Sequence, residues 1–299
     1  MEFGRLRELS GVDFSLPTME DALFGSQLKS TSDAELPTLY LGAPVWAHKS
    51  FVGKIYPPKS KPDDYLSLYA KSFNCIELNS TFYGVLGAER VAKWCDKVGP
   101  EFRFCPKATR AITHESQQLP RQAILDFFNS VREFGDNLGT CFLQFPPEFG
   151  PRQWQHLQSL LKLLPKEFQV AIELRHPGWF DRKKALQWLL KLGEQFRVSI
   201  LITDTAGRRD VLHHSFPQPH AFVRFSGDGL VASDFERLDQ WTTRLAELSR
   251  RGVKELYFIL HQEQEGRCVE LAEHLIARLP EAGLPPILRV QEQEQLKLW

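Results

Sequence analysis

Short apolar runs recur along the chain at intervals that leave room for one helix each, and this alternation constrains the fold more than any other feature. From Thr38 onward the runs are LYLGA (39–43), CIELN (75–79), FRFCPK (102–107), TCFLQF (140–145), FQVAIEL (168–174), VSILITD (198–204), AFVRFS (221–226) and LYFIL (256–260). Each has the length and composition of a buried strand. The segments between them carry helix punctuation. Pro62 opens DDYLSLYAKSF, Gly99 follows AERVAKWCDKV, QAILDFFNSVREF ends at Gly135, and WQHLQSLLKLLP and DRKKALQWLLKLG follow. Ser233 and Glu236 have capping-box spacing at the next helix, and Gly252 supplies its left-handed stop. One interval, TAGRRDVLHHSFPQPH (205–220), has room for little more than a turn of helix. The pattern predicts an α/β protein with a single (β/α)8 TIM-like barrel over 38–299 and a degenerate sixth crossover, with an open doubly wound sheet as the alternative. Residues 1–37 lack sustained periodicity and read as a partly irregular N-terminal extension ending in the polar linker KSTSDAELP.

In such a barrel one face of each strand packs on helices and the other fills the barrel, so parity assigns candidate site residues. Ile76 and Leu78 suit the helix side, which turns Cys75, Glu77 and Asn79 inward. By the same rule Ala171, Glu173 and Arg175 oppose Val170, Ile172 and Leu174, and Arg224 opposes Val223 and Phe225. Lys107, Phe142 and Gln144 also face inward, and His261 follows the last strand. Asp204 ends its strand on the face of Ile200 and Ile202, and is grouped with the pocket as a third acid. These groups gather at the C-terminal ends of strands, where barrels build active sites. The plain alternative is that Glu77, Glu173 and Asp204 neutralise Lys107, Arg175 and Arg224 as barrel filling. Desolvating several ion pairs is expensive without adding stability over an apolar fill, which favours a functional pocket.

The chemistry follows from residue type. Glu77 and Glu173 are candidate bases, and His114 and His176 candidate acids, since an imidazole titrates near neutrality. Lys107, Arg175 and Arg224 suit an anion. Tyr83, Trp46 and Trp179 offer flat surfaces to a sugar or base, with burial of Trp179 against the next helix as the even alternative. A small anionic or sugar-like ligand is expected, and an enzyme of hydrolase or isomerase type is one possibility. No HExxH or CxxC pair occurs, so no cofactor is predicted, although Glu77, Glu173, Asp204 and a histidine sketch a divalent-metal site. His213, His214 and His220 read as a solvated loop. The sequence SGDG (226–229) reads as a plain turn, with an anion nest as the other reading. Lys and Arg (37) balance Asp and Glu (37), so net charge does not support a nucleic-acid partner. The absence of a long apolar run excludes a membrane helix, and five scattered cysteines without CxxC spacing fit buried free thiols in a cytoplasmic protein.

Several stretches coincide in order with one family: YLGAPVWAHKSFVGKIYPP, YAKSFNCIELNSTFYG, FRFCPKATRAITH, LQFPP, IELRHPGW and FVRFSGDG. Over roughly residues 39–262 the chain resembles the domain-of-unknown-function 72 (YecE-like) family. The resemblance implies a TIM-like barrel but no established reaction. Its comparison with endonuclease IV and xylose isomerase barrels suggests a phosphodiester or sugar ligand, and keeps open a metal-dependent phosphoesterase or a non-catalytic nucleic-acid or metabolite binder. By motif match it carries over Glu77, Asn79, Thr81, Tyr83, Lys107, Thr113, His114, Gln144, Glu173, Arg175, His176, Trp179 and Arg224. The chain departs from the pattern at Pro44-Val45-Trp46, Ser226-Gly227 and His261-Gln262, all at the expected mouth.

Overall fold

A computed structural model describes residues 4, 6–30, 37–115 and 118–282. Most of the expected linker at 29–37 lies outside the described residues. Each apolar run read as a strand is extended: β1 Thr38–Ala43, β2 Cys75–Leu78, β3 Arg103–Pro106, β4 Cys141–Gln144, β5 Val170–Glu173, β8 His220–Ser226 and β9 Glu255–His261. The run at 198–204 divides at Leu201 into β6 Val198–Ile200 and β7 Ile202–Thr205. All ladders are parallel. One sheet runs β3-β2-β1-β9-β8-β7 and the other β4-β5-β6, so the first strand lies beside the last. Parallel bridges Phe104–Leu138 and Lys107–Phe142 link the β3 and β4 segments.

The parallel pairing needs long connections, and helices supply most of them: α1 Tyr65–Tyr69, α2 Ala88–Cys95, α3 Arg110–Thr113, α4 Arg121–Arg132, α5 Trp154–Leu161, α6 Lys183–Phe196, α7 Ala232–Arg250 and α8 Cys268–Arg278. Between β7 and β8 there is instead a 3-10 turn, Arg209–Val211, and a two-residue strand, Ser215–Phe216, paired in parallel with Leu23–Phe24. Residues 6–30 are otherwise largely irregular, yet Leu16 is buried and its N–H donates to Gln240.

Alternation along the strands sorts the apolar side chains into two clusters. Ile76, Leu78, Phe104, Leu143, Ile172, Val223 and Phe258 belong to the large core under the helices. Tyr40, Cys75, Cys105, Phe142, Ala171, Leu201, Phe222, Tyr257 and Ile259 form a second, separate cluster on the opposite strand faces. Burying each large member contributes roughly 1.5–3 kcal/mol. This second cluster is the apolar floor beneath the polar residues at the strand ends. The cysteines are free, with Cys75, Cys105, Cys141 and Cys268 buried and Cys95 half-buried. No helix among the described residues is long and apolar enough to cross a membrane.

Three local expectations change. The Ser233–Glu236 capping box does not form, because α7 begins at Ala232 and its N-cap Val231 makes no side-chain bond. Asp234 instead turns its carboxylate onto the N–H groups of Asp228 and Leu230. Gly193, the last residue of the DRKKALQWLLKLG pattern, lies inside α6, which ends at the left-handed Arg197. A Cβ at Gly193 would sit 2.5 Å from Pro217 and 2.8 Å from the Val198 carbonyl, so close packing rather than a stop selects glycine. His213, His214 and His220 are buried, not solvated. The short strand pair covers this stretch, with His214 accepting from the Leu23 N–H and its ring lying 5.7 Å from that of Trp241.

Candidate functional site

Glu77 ends its strand's inward face, and Arg224 reaches it from β8 across the interior. Arg224 Nε donates to Glu77 Oε2 at 2.8 Å and Nη2 to Oε1 at 2.9 Å, a bidentate clamp. The remaining fork donates through Nη1 to Glu173 Oε2 at 2.7 Å. One guanidinium therefore holds two carboxylates, over the ring of Phe142. All three side chains are sealed from solvent, at 2% exposure or less. Asn79 Nδ2 donates to Glu77 Oε1 at 2.8 Å, and His261 Nε2 contacts Oε2 at 3.2 Å. On Glu173, Oε1 accepts from Arg175 Nε at 2.6 Å and from the Thr203 hydroxyl at 3.2 Å.

A second tier lies above this triad. Gln144 Oε1 accepts from Arg175 Nη2 at 2.9 Å and from Lys107 Nζ at 3.1 Å. Lys107 Nζ also sits 4.1 Å over the Phe82 ring. Lys107, Gln144, Arg175 and His261 each retain 7–9% exposure, so the tier touches solvent where the triad does not. Thr81 builds the wall, its hydroxyl 2.7 Å from the carbonyls of both Leu78 and Lys107, which ties the end of β2 to that of β3.

The electrostatics follow from this packing. Burial opposes ionisation of Glu77, but Arg224 and His261 outweigh it and hold the carboxyl well below the usual range. Glu173 behaves alike, with Arg175 and Arg224 overcoming burial. For Arg224 the two carboxylates overcome burial and raise its pKa further. Lys107 is pulled down to about 8 by burial and by Arg224, despite Glu173 and Glu77. Burial lowers His261 below the ordinary histidine value against the pull of Glu77. His114 is lowered by burial and by Lys107. Glu265, on the loop after β9, was not among the sequence candidates, and burial together with Glu77 pushes its carboxyl up to about 7. Its Oε2 is buried and makes no hydrogen bond among the described residues. The signal in the sequence was its place in the last βα loop.

The structure thus brings together Glu77, Asn79, Lys107, Gln144, Glu173, Arg175, Arg224 and His261. Other candidates lie elsewhere. Asp204 is on the helix side, bound by Arg209, by Arg237 Nη1 at 2.9 Å and by Trp241 Nε1 at 2.6 Å. Its parity with Ile200 and Ile202 requires this, and Thr203 takes the inward place beside it. Trp179 is buried, stacked between Phe149 and Trp188, and its Nε1 donates to the Phe149 carbonyl. His176 caps the 3-10 turn Pro177–Trp179 by accepting from the Gly178 N–H. His114 pairs with the Thr113 hydroxyl at 2.7 Å against the edge of Phe82. Tyr83 is exposed, and Trp46 packs on Trp94, so the three aromatic rings do not form one platform.

The loop at 226–229 takes an internal anion, since Asp228 and Leu230 N–H groups donate to Asp234 and the Gly229 N–H to Gln262 Oε1. Both residues of one departure from the resembled pattern therefore sit on charge clusters, His261 on Glu77 and Gln262 on Asp234. A divalent cation does not fit here, because Arg224 already occupies the oxygens that Glu77 and Glu173 turn toward each other. Among the described residues no group of three or more His, Cys, Asp or Glu is arranged to hold a metal.

Comparison with known proteins bears on this arrangement. A family model described as protein of unknown function DUF72 matches residues 40–295. The chain is 28% identical over 276 residues to the Escherichia coli K12 protein named UPF0759 protein YecE, covering 85% of this chain and 98% of that protein. Among solved structures, a DUF72 family protein from Thermotoga maritima superposes with a TM-score of 0.67 at 22% identity, over 81% of this chain and 99% of that one. A fusion of a xylose isomerase-like TIM barrel with 4-hydroxyphenylpyruvate dioxygenase aligns at a TM-score of 0.50 and 13% identity, over 84% of this chain and 45% of that one.

Proposed function

The chain belongs to the DUF72 family of proteins of unknown function, and from that premise we propose that it is an enzyme whose pocket takes a small anionic ligand, phosphorylated or sugar-like, and acts on it by proton transfer. The fold reading that accompanies this is a single (β/α)8 barrel with a degenerate sixth crossover. The bridges between the β3 and β4 segments, the passage through Leu201 and an inner cluster drawn from β1 to β5, Leu201, β8 and β9 support it, as does the likeness to a xylose isomerase-like TIM barrel.

One observation carries the ligand class: Lys107, Arg175 and Arg224 face two carboxylates, Glu77 and Glu173, which leaves one positive charge in excess beside solvent. Arg224 belongs to the structural floor, while Lys107 and Arg175 are the cations an anion reaches. The paired carboxylates are poor proton carriers, since Arg224 keeps both ionised. Lys107 at about 8 and Glu265 at about 7 are the groups whose charge changes near neutrality. Glu77 and Glu173 therefore orient Arg224 and Arg175 in this reading.

Calorimetric titration with inorganic phosphate and glycerol phosphate at low salt tests it. Binding to the wild type is expected, weakened at least about tenfold, or 1.4 kcal/mol, in Lys107→Met. The variant should unfold at no lower temperature, because it removes a desolvated cation without stranding a carboxylate. Equal affinity in the two proteins, or no binding to either, overturns the assignment.

A further inference from the structure

The three cations of the pocket are not equivalent. Arg224 and Arg175 are locked on Glu77 and Glu173 and do not lose a proton in water. Among the described residues no carboxylate lies within ion-pair distance of the Lys107 amine, which rests on the Gln144 amide oxygen and the Phe82 ring. A lysine kept to neutralise charge would be placed against a carboxylate. This one is placed beside arginines, at 9% exposure, on a backbone fixed by its N–H to the Leu78 carbonyl and its own carbonyl to Thr81. Phe82, whose ring lies under the amine, also lines an open cavity of about 300 Å³ with Tyr83, Thr109, Arg110, Glu115 and Asp126, a space that Lys107 itself does not line.

We propose that Lys107 is a nucleophile that forms a Schiff base with the carbonyl carbon of a small anionic aldehyde or ketone, sugar phosphates being the class that fits. The proposal rests on the anion-binding reading of the same pocket. The Nζ lone pair attacks the carbonyl carbon, a C–N bond forms, and the π pair moves to oxygen, which takes up a proton. Loss of the second N–H proton and of the C–O bond then gives C=N and one water, with no oxidant or reductant required. Desolvation and the neighbouring cations favour the neutral amine this needs, as at other lysine nucleophiles.

The test uses the full chain with glycolaldehyde phosphate and sodium borohydride, read by intact mass and peptide mapping, with glycerol phosphate as a carbonyl-free ligand in calorimetry. One reduced adduct per chain is expected at Lys107, suppressed by inorganic phosphate and forming faster as pH rises from 7 to 9. Lys107→Arg should bind glycerol phosphate without forming the adduct, and mapping of the wild type decides the matter should that variant fail to fold. Glycerol phosphate binding together with adducts scattered over surface lysines overturns the Schiff base and leaves the anion site standing. Failure of both ligands to bind overturns both.

Discussion

Two buried arginines each bridge two carboxylates, and the difference between them separates a clamp from a site. Arg237 joins Asp204 to Asp234 on the helix side, where Arg209 and Trp241 complete Asp204 while backbone N–H groups and Gln262 complete Asp234. Two acids meet two bases there, and Asp204, Asp234 and Arg237 have no measurable exposure. Arg224 joins Glu77 to Glu173 on the inward side, but Arg175 and Lys107 bring the bases to three, and the outer members retain contact with solvent. Balanced charge fixes structure even where its outer base, Arg209, is 17% exposed, whereas unbalanced charge at the edge of water has a ligand to gain. Desolvation is costly in both places, and neither cluster is an economical substitute for apolar packing.

Removing each hub should give the largest effects. Arg224→Leu strands Glu77, leaves Glu173 with Arg175 and Thr203 alone, and is expected to destabilise the protein by about 3–5 kcal/mol in urea denaturation. Adding Glu77→Gln should recover part of that loss, because one stranded charge disappears. Arg237→Leu leaves Asp204 with Arg209 and Trp241, and Asp234 with its backbone donors, so a smaller loss of about 2–3 kcal/mol is expected. Phosphate affinity of the folded Arg237→Leu protein should match the wild type. An Arg237 variant that weakened phosphate binding as much as an Arg224 variant does would erase the distinction between the clusters.

Acid separates them next. His213 and His220 are depressed to about 4 by burial, and His214, beside Trp241 of the clamp, is pushed well below 6.5 by burial and Arg244. Their folded values lie below the unfolded value of 6.5, so the stability they support is complete above pH 6.5. It is lost as pH falls toward 4, by up to about 1.4 kcal/mol per pH unit for each histidine. Glu77 and Glu173 are held below 4.5 and Asp204 below 3.8. Their contribution is intact above those ordinary values and is lost as pH falls from them through the lower folded values. Urea denaturation between pH 8 and 3 should therefore show loss beginning near 6.5, flattened in His213→Gln. A curve level down to pH 4.5 would contradict neutral burial of these histidines.

How much of this was legible depended on parity. Strand alternation placed Glu77, Gln144, Glu173 and Arg224 on one face because period two survives whatever the loops do. The same rule set Asp204 beside Ile200 and Ile202, and grouping it with the pocket overrode that signal in favour of its charge. The break at Leu201 left no trace in VSILITD, since a strand interrupted for one residue keeps its hydrophobicity. Trp179 and His176 follow IELR in a loop, where no periodicity says whether a ring faces solvent or folds under. Packing against Phe149 and Trp188, drawn from other segments, decided that. The excess charge on Lys107 depended on which acids the arginines take, a matter of three-dimensional pairing.

The smallest expected effect tests that boundary between neighbours in sequence. Thr203 and Asp204 are adjacent in β7 and serve opposite clusters, Thr203 donating to Glu173 Oε1 at 3.2 Å and Asp204 holding Arg237. Thr203→Val keeps the branched shape and removes one donor from a carboxylate that retains Arg175 and Arg224, so the loss should be about 0.5–1.5 kcal/mol. Glu173 then leans harder on both arginines, and phosphate affinity should shift by less than about threefold, since Lys107 is untouched. An undisturbed clamp means that the Trp241 fluorescence near Asp204 stays as in the wild type. A Thr203→Val protein that altered the Trp241 environment while leaving phosphate affinity fixed would show the two faces of β7 coupled, and the separation of site from clamp would fail at its narrowest point.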